Sequence, residues 1–303
     1  MTDVRKVPIN RGAVWFIHAI NLGTRNPRAI FGAALLFLGT LYGLGFLFVL
    51  PAAATLDGKP DLSRVLMALV PFFLLLMFLF PILMGGLMHV IHEAEAGRPV
   101  RARDLFAPIR QRKAGPLAML GLIQIGLTMA GAMIVVALAG PDYWRDYLDA
   151  VRAAMAGSVP VPPQPRHPGL LMLVQMAFNY FSYAIMLFCV PLVLFSGDSL
   201  SDAVKHSLRA SISNIGANLL AAVLFGGGVV LAALVTGVLA VLAGLVGSLL
   251  HPVVGVALSL LLYIALGTAV LVILMGGTYL AWRDTFADGA VPPAVADASK
   301  LEA

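Results

Sequence analysis

The sequence predicts an all-α fold, a polytopic bundle of six transmembrane helices. Hydrophobic residues make up 60% of the 303 residues and charged residues only 12%, which is about half the charged share of a soluble domain. The mean hydropathy is +0.93, and several uninterrupted apolar runs are long enough to cross a bilayer. Together these observations exclude a soluble enzyme, a nucleic-acid-binding module and a disordered chain.

Each predicted span is an apolar run of about 20 residues or more, which is the length needed to cross the hydrocarbon core. The last two spans share residues 210–282, which contain no Asp, Glu, Lys or Arg. We divide this stretch at His251 and Pro252 into two long spans, and three shorter spans, seven in all, are the alternative. An N-terminal segment (1–29) and a C-terminal tail (282–303) flank the transmembrane domain (30–281), whose spans are predicted at residues 30–50, 65–88, 116–139, 170–195, 218–249 and 253–281.

Lys and Arg are distributed unevenly over the connections between spans. With six spans, the side that holds both termini carries 15 of the 20 Lys and Arg residues, and the other side carries five. Cytoplasmic connections are enriched in positive charge. We therefore expect both termini in the cytoplasm.

The spacing of short motifs predicts three repeated units. The Met-Gly-Gly sequence at residues 84–86 recurs 191 residues later at residues 275–277, and Asn26 is matched 188 residues later by Asn214. Both offsets fit two periods of about 95 residues. We therefore expect each unit to consist of a short amphipathic segment followed by a hairpin of two spans.

The three amphipathic segments, residues 12–24, 101–113 and 201–213, precede the first, third and fifth spans. In the first, Trp15, Ala19 and Leu22 share one face. Segments of this kind lie flat at the headgroup level and direct their cations to anionic lipids. For residues 101–113 a solvated helix packed on the spans is an equal alternative, because Pro108 interrupts the pattern. The cations expected to contact lipid headgroups are Arg101, Arg103, Lys205 and Arg209.

No signature of nucleotide binding, nucleophilic hydrolysis or zinc proteolysis occurs, so we predict neither an enzyme nor a cofactor. The densest cluster of reactive side chains is His89, His92 and Glu93, at the end of the second span. Two imidazoles and a carboxylate can bind zinc or iron. The favoured interpretation is an ordinary polar helix end at the membrane boundary, and a metal site is the alternative.

A polar stripe is predicted inside the membrane. Gln175, Asn179 and Ser182 follow the spacing i, i+4, i+7 on the fourth span, and Gln124 and Thr128 form an i, i+4 pair on the third. Such faces turn away from lipid, because an unpaired amide in hydrocarbon costs several kcal/mol. Hydrogen bonds between helices are the favoured interpretation, and a polar pocket or substrate path is the alternative.

Glycine spacing also predicts helix packing. Gly39 and Gly43 lie four residues apart on the first span. Small residues at this spacing allow two transmembrane helices to approach closely. The sequence therefore predicts a close contact at this face.

The opening helix with its tryptophan (12–21), the Asn26–Pro27 pair and residues 200–205 leading to Asn214 resemble an uncharacterised family of proteobacterial six-span inner-membrane proteins. The layout is also similar to the membrane-anchor regions attached to some bacterial glycerophosphodiester phosphodiesterases. The resemblance covers nearly the whole chain as an architecture. It implies a bacterial inner-membrane location and no activity, since no phosphodiesterase domain is present and the family has no established catalytic residues.

Taken together, the sequence favours a non-enzymatic membrane scaffold or interaction protein. Its cytoplasmic segments would contact anionic lipid, a protein partner or a second copy of the chain, and no nucleic acid is expected. The alternative is a facilitator or transporter of a small solute or lipid, which would use the polar face formed by Gln124, Thr128, Gln175, Asn179 and Ser182.

Overall fold

The structure is a computed structural model that describes residues 4–54 and 62–286. Within these ranges the regular structure is entirely helical, and six helices are long and apolar enough to cross a membrane. The predicted all-α polytopic bundle is therefore confirmed. The six long helices are α2 (Pro27–Ala54), α3 (Leu62–Glu95), α5 (Ala114–Ala139), α7 (Pro168–Pro191), α9 (Ile215–Leu249) and α10 (Pro252–Phe286).

Most of these helices extend beyond the apolar runs that predict them. The helices α9 and α10 have 35 residues each, which corresponds to about 52 Å against a hydrocarbon thickness of about 30 Å. The extra turns carry polar side chains such as Arg283 and Asp284, because a helix keeps its backbone hydrogen bonds after it has left the apolar layer. Residues 287–303 of the predicted C-terminal tail lie outside the described residues.

The connections contain shorter helices. The predicted amphipathic segment 101–113 is a 3-10 helix followed by one short α-helix, and Pro108 occupies the first turn of that α-helix, where its missing N–H group removes no hydrogen bond. A single π-helical turn (Leu192–Ser196) continues α7. The remaining elements are α1 (Arg11–Leu22), the 3-10 helix (Ala102–Phe106), α4 (Ala107–Arg110), α6 (Tyr143–Met155) and α8 (Leu200–Ser213).

The six long helices form three hairpins: hairpin 1 (α2 and α3), hairpin 2 (α5 and α7) and hairpin 3 (α9 and α10). The second helix of each hairpin contacts the second helices of the other two, so that α3, α7 and α10 form the centre of the bundle. We call the end at which α2, α5 and α9 begin the closed end. The end at which each hairpin turns back is called the open end.

The buried core lies almost entirely at the closed end. Within the described parts of the six long helices, buried apolar side chains fall in the first turns of α2, α5 and α9 and the last turns of α3, α7 and α10, and the exceptions are Ala139 and Ala243. Towards the open end the hairpins separate, and most side chains of α9 are exposed there. In a membrane these apolar surfaces face lipid.

An aromatic cluster joins the three central helices at the closed end. The Phe195 ring lies 4.8 Å from the His92 ring and 4.7 Å from the Trp282 ring, measured between centroids. His92 Nδ1 is 3.1 Å from the Tyr279 hydroxyl. The cluster therefore links α3, the π-helical turn after α7, and α10.

Each short segment packs on a hairpin that it does not precede. The 3-10 helix packs on hairpin 1, α8 packs on α7 of hairpin 2, and α1 packs on both helices of hairpin 3. In the second of these contacts, the Tyr180 hydroxyl donates to the Ser211 carbonyl oxygen at 2.8 Å. The predicted three-unit layout is thus arranged as a closed ring, in which the first helix of the chain covers the last hairpin.

The orientation of α1 differs from the flat placement that the sequence predicts. Arg11 and Trp15 donate hydrogen bonds to Asp284, with Trp15 Nε1 2.7 Å from the carboxylate oxygen. A Cβ atom on Gly23, at the other end of the helix, would lie 3.5 Å from Val272. From the first contact to the second, the residue numbers rise along α1 and fall by the same amount along α10. The two helices therefore lie side by side and run antiparallel. Trp15, Ala19 and Leu22 are buried in this contact, as their shared face predicts.

The segment before α1 is fixed to the same hairpin. The Val7 N–H group donates to Asn214 Oδ1 at 2.8 Å, and the Asn214 amide donates to the Arg5 carbonyl oxygen at 2.9 Å. The Arg5 N–H group donates to the Thr285 carbonyl oxygen at 3.0 Å. Asn214 is buried, so this pair of bonds satisfies an amide that would otherwise lack partners.

The predicted close contact at Gly39 and Gly43 is wrong. A Cβ atom added to either glycine meets no atom of another helix within 4 Å in the part of the chain that the structure describes, because this part of α2 lies towards the open end. The close approaches occur elsewhere: a Cβ atom on Gly86 would collide with the Leu105 carbonyl oxygen, and one on Gly121 would lie 2.5 Å from a carbonyl oxygen of α3.

Candidate functional site

A cavity of about 470 Å³ lies between α5 and α7, the two helices of hairpin 2. It extends along α7 from Leu171 to Tyr183, which is about 18 Å of helix. Tyr143 and Trp144 of α6 line it at the open end. The lining residues are Gln124, Leu127, Thr128, Gly131, Ala132, Val135, Tyr143, Trp144, Leu171, Gln175, Phe178, Asn179, Ser182 and Tyr183.

All five polar residues predicted on the third and fourth spans line this cavity. The Gln175 amide donates to Asn179 Oδ1 at 2.9 Å. The Thr128 hydroxyl donates to the Gln124 carbonyl oxygen of its own helix at 2.8 Å. These bonds lie within α5 or within α7, and none of them joins the two helices. The favoured interpretation of the stripe, hydrogen bonding between helices, is therefore not what these side chains do here.

Two buried polar atoms in the cavity lack a hydrogen-bond partner within the described residues. They are Gln175 Oε1 and Ser182 Oγ, and Ser182 is only 7% exposed. A buried polar group without a partner costs about 1–3 kcal/mol. A ligand that enters the cavity and supplies the missing hydrogen bonds would remove this cost.

The cavity is electrically neutral. None of its lining residues is Asp, Glu, Lys, Arg or His. Burying an unpaired ion in an apolar environment costs far more than burying a neutral polar group. The site is therefore suited to an uncharged ligand.

The connection after α5 shapes the open end of the cavity. Gly140 has φ +107°, a conformation that disfavours any residue with a Cβ atom. It reverses the chain into α6, and the Arg166 N–H group donates to the Ala139 carbonyl oxygen at 3.1 Å. This backbone bond ties the start of α7 to the end of α5, so the walls of the cavity are held together at this end.

Two of the three predicted metal ligands, Glu93 and His92, have other partners. Glu93 forms an ion pair with Arg98, whose Nη2 lies 2.7 Å from Glu93 Oε1, and His92 belongs to the aromatic cluster. Within residues 4–54 and 62–286, no three His, Cys, Asp or Glu side chains are placed to hold a metal ion. The metal site at His89, His92 and Glu93 stays a prediction and has no part in the function proposed below.

The predicted headgroup contacts lie on the segments of the closed end. Arg103 lies in the 3-10 helix and Arg101 directly precedes it, Lys205 and Arg209 lie on α8, and all four side chains are exposed. Asp104 of the same 3-10 helix, although partly desolvated, has its pKa lowered by hydrogen bonds from the Arg101 N–H group and from Arg110. It is therefore ionised beside the exposed cations Arg101 and Arg103.

Some site residues were not found by sequence reasoning. Phe178 lies three residues after Gln175 on the same face of α7, a spacing visible in the sequence, but its apolar side chain resembles every other core residue. Tyr143 and Trp144 are aromatic residues of the kind found at any membrane interface, and nothing in the sequence places α6 against a particular pair of helices.

No protein-family model matches the chain, and no curated protein or solved structure is significantly similar to it.

Proposed function

We propose that the protein is a multi-pass membrane protein of the facilitator type, which binds an uncharged, hydrogen-bonding ligand between α5 and α7. The observation that carries this proposal is the convergence of five polar side chains on one cavity, with Gln175 Oε1 and Ser182 Oγ unpartnered. Polar side chains within a membrane bundle are expensive. Two that remain unpaired fit a ligand site better than a structural contact.

The proposed location is the bacterial inner membrane, with both termini in the cytoplasm and the closed end on that side. The 15 Lys and Arg residues on the terminal side support this orientation. A reporter that fluoresces only in the cytoplasm, fused after Ala303, is expected to fluoresce, and alkaline phosphatase at the same place is expected to be inactive. The reverse pattern would contradict the orientation.

The ligand is tested by the native mass spectrum of the full chain, purified in mild detergent. We expect an added mass of defined size on the wild-type protein and its loss in the Gln175→Leu, Asn179→Leu double variant. The matched control is the double variant Thr236→Val, Thr268→Val. The two hydroxyls donate to carbonyl oxygens of their own helices, α9 and α10, and neither residue lines the cavity.

Retention of the added mass in the cavity variant, or its loss in the control, would contradict the proposal. Solute flux in proteoliposomes is the second measurement. A facilitator whose path runs along this cavity loses flux in the cavity variant and keeps it in the control.

A second candidate is the scaffold function that the sequence favours. It is supported by the exposed cations on two segments of the closed end, Arg101, Arg103, Lys205 and Arg209. In this case Arg101→Glu with Arg103→Glu weakens the attachment of a partner or of anionic lipid, and the cavity variant has no effect. Co-purification of lipid and protein with the two variants separates the candidates.

A further inference from the structure

The cavity between α5 and α7 opens towards the bilayer. On α5, Met129 and Met133 are 62% and 67% exposed, and on α7, Leu173 and Met176 are 68% and 60% exposed. These side chains lie next to lining residues of the cavity and face lipid in a membrane. Unbranched methionine side chains adapt easily to different neighbours. The methionines at the border of the cavity can therefore move aside for a molecule that enters laterally from the bilayer.

The polar atoms of the cavity lie within the depth of the hydrocarbon layer. Gln175 is seven residues and Ser182 fourteen residues from the first residue of α7, which corresponds to about 10 Å and about 21 Å along the helix. The hydrocarbon layer is about 30 Å thick. A ligand that reaches both residues is therefore immersed in lipid over most of its length.

The chemistry of the two unpartnered atoms specifies the ligand further. Gln175 Oε1 can only accept a hydrogen bond, and the Ser182 hydroxyl can donate one. The ligand must supply a donor for the first and an acceptor for the second. The two residues lie two helical turns apart on one face of α7, so one small polar group can reach both. A glycerol that carries a hydroxyl and an ester carbonyl offers the required donor and acceptor on neighbouring carbon atoms.

The charge and the composition of the cavity walls also limit which ligand can bind. A phosphate at this depth would need a counter-charge, and none of the lining residues carries one. The remaining wall is apolar, with Leu127, Val135, Leu171 and Phe178. These residues suit the first part of an acyl chain whose remainder lies in the bilayer.

On the basis of the proposed function, we propose that the ligand is an uncharged glycerolipid, an acyl-bearing glycerol with a free hydroxyl and no phosphate. It reaches the cavity from the bilayer, between the helices of hairpin 2.

The test uses the full chain in phosphatidylcholine nanodiscs. The probe is dioleoylglycerol, and dioleoyl phosphatidic acid, with the same chains and an added phosphate, is the matched comparison. We expect one diacylglycerol per protein, with phosphatidic acid bound at least about tenfold more weakly. The Gln175→Leu, Ser182→Ala variant is expected to lose binding of diacylglycerol by a similar factor, and the Thr236→Val, Thr268→Val variant is expected to keep it.

A second cavity variant keeps both polar atoms and fills the space. Ala132→Leu places a larger side chain in the cavity, so it is expected to lose diacylglycerol although its hydrogen-bonding groups are intact. Thermal unfolding in detergent shows that each variant is folded. Loss of binding in a folded Ala132→Leu protein supports the location of the site independently of the polar substitutions.

The outcomes separate this inference from the proposed function. Equal binding of phosphatidic acid, or a diacylglycerol signal that no cavity variant changes, overturns the lipid assignment. If the cavity variants remove another co-purified mass and glycerol competes for the site, the proposed function stands and the ligand is a water-soluble polyol. If no cavity variant changes any bound mass, both proposals fail.

Discussion

At the scale of single residues, Ser182 shows how a residue that lines a cavity affects the stability of the fold. Its hydroxyl is buried and unpartnered among the described residues, so in the absence of ligand it destabilises the fold. Sequence periodicity alone places Ser182 on the same face as Gln175 and Asn179. That its oxygen lacks a partner depends on the separation of α5 from α7 at this depth, which no spacing in the sequence specifies.

We expect Ser182→Ala to raise the free energy of unfolding by about 1 kcal/mol, because it removes a desolvated hydroxyl without a hydrogen bond. Thermal unfolding of ligand-free protein in detergent measures this change. Ser207→Ala is the matched control, since its hydroxyl is also buried but lies 3.3 Å from Cys189 Sγ, and its removal is expected to destabilise. A lower melting temperature for Ser182→Ala would mean that the hydroxyl has a structural partner.

The start of α8 provides a prediction about pH. The Ser199 hydroxyl donates to the Asp202 carboxylate at 2.7 Å, and it lowers the pKa of Asp202 below its ordinary value of about 3.8, with a smaller contribution from Lys205. A carboxylate whose pKa falls on folding contributes stability above its ordinary pKa, and this contribution is lost as pH falls through the folded pKa.

Ser199→Ala is therefore expected to raise the pKa of Asp202 towards its ordinary value and to weaken the acid-dependent part of the stability of α8. Carboxyl carbon shifts followed by NMR during an acid titration measure the pKa. Ser201→Ala, at a neighbouring exposed serine, is the control that should leave it unchanged. An equal shift in both variants would assign the effect to something other than the Ser199 hydroxyl.

At the scale of elements, apolar runs in the sequence predict the positions of the helices well, but they do not predict which helices contact one another. The spans predicted at residues 116–139 and 218–249 lie within three residues of α5 and α9 at either end, because long apolar runs must satisfy their backbone hydrogen bonds internally. The contact predicted at Gly39 and Gly43 is absent. Glycine spacing shows that two helices could approach closely at a position. Whether they do so depends on the end of the bundle at which the hairpins separate.

Two glycines on the same hairpin provide a matched test of this difference. Gly86→Ala is expected to destabilise the bundle by about 1–3 kcal/mol, because its Cβ atom would collide with the backbone of the 3-10 helix. Gly43→Ala, where a Cβ atom meets open space, is expected to be neutral or slightly stabilising. Melting temperatures in detergent compare the two. Similar losses in both variants would contradict the packing of the 3-10 helix on hairpin 1.

At the scale of the whole molecule, the ring of short segments determines which parts of the chain are joined. The sequence indicates three units by the spacing of repeated motifs, and the repeat is visible in the layout of the hairpins. That each segment covers a hairpin other than the one it precedes could not be predicted, because the spacing of motifs records order along the chain and not neighbours in space.

The contact between the first and last helices can be tested by a cross-link. A Cβ atom on Gly276 would lie 3.7 Å from Ala19 Cβ, within the range of about 3.5–4.5 Å found in disulfides. In a Cys189→Ser background, Ala19→Cys with Gly276→Cys is expected to form a disulfide under mild oxidation, detected by a change in gel mobility. The pair Gly39→Cys with Gly276→Cys is the control. Cross-linking of the control alone would contradict the ring.

The packing of α1 on hairpin 3 leaves α1 without its partner helices while the rest of the chain is being synthesised. Translation delivers α1 before α10, and Asp284, to which Arg11 and Trp15 bond, is made more than 260 residues after them. At about 5–20 residues per second, this interval lasts between roughly ten seconds and a minute. Until hairpin 3 is made, the tryptophan face of α1 lacks the helices on which it packs and is open to chaperones and proteases. A helix that is made early is thus among the last to be protected.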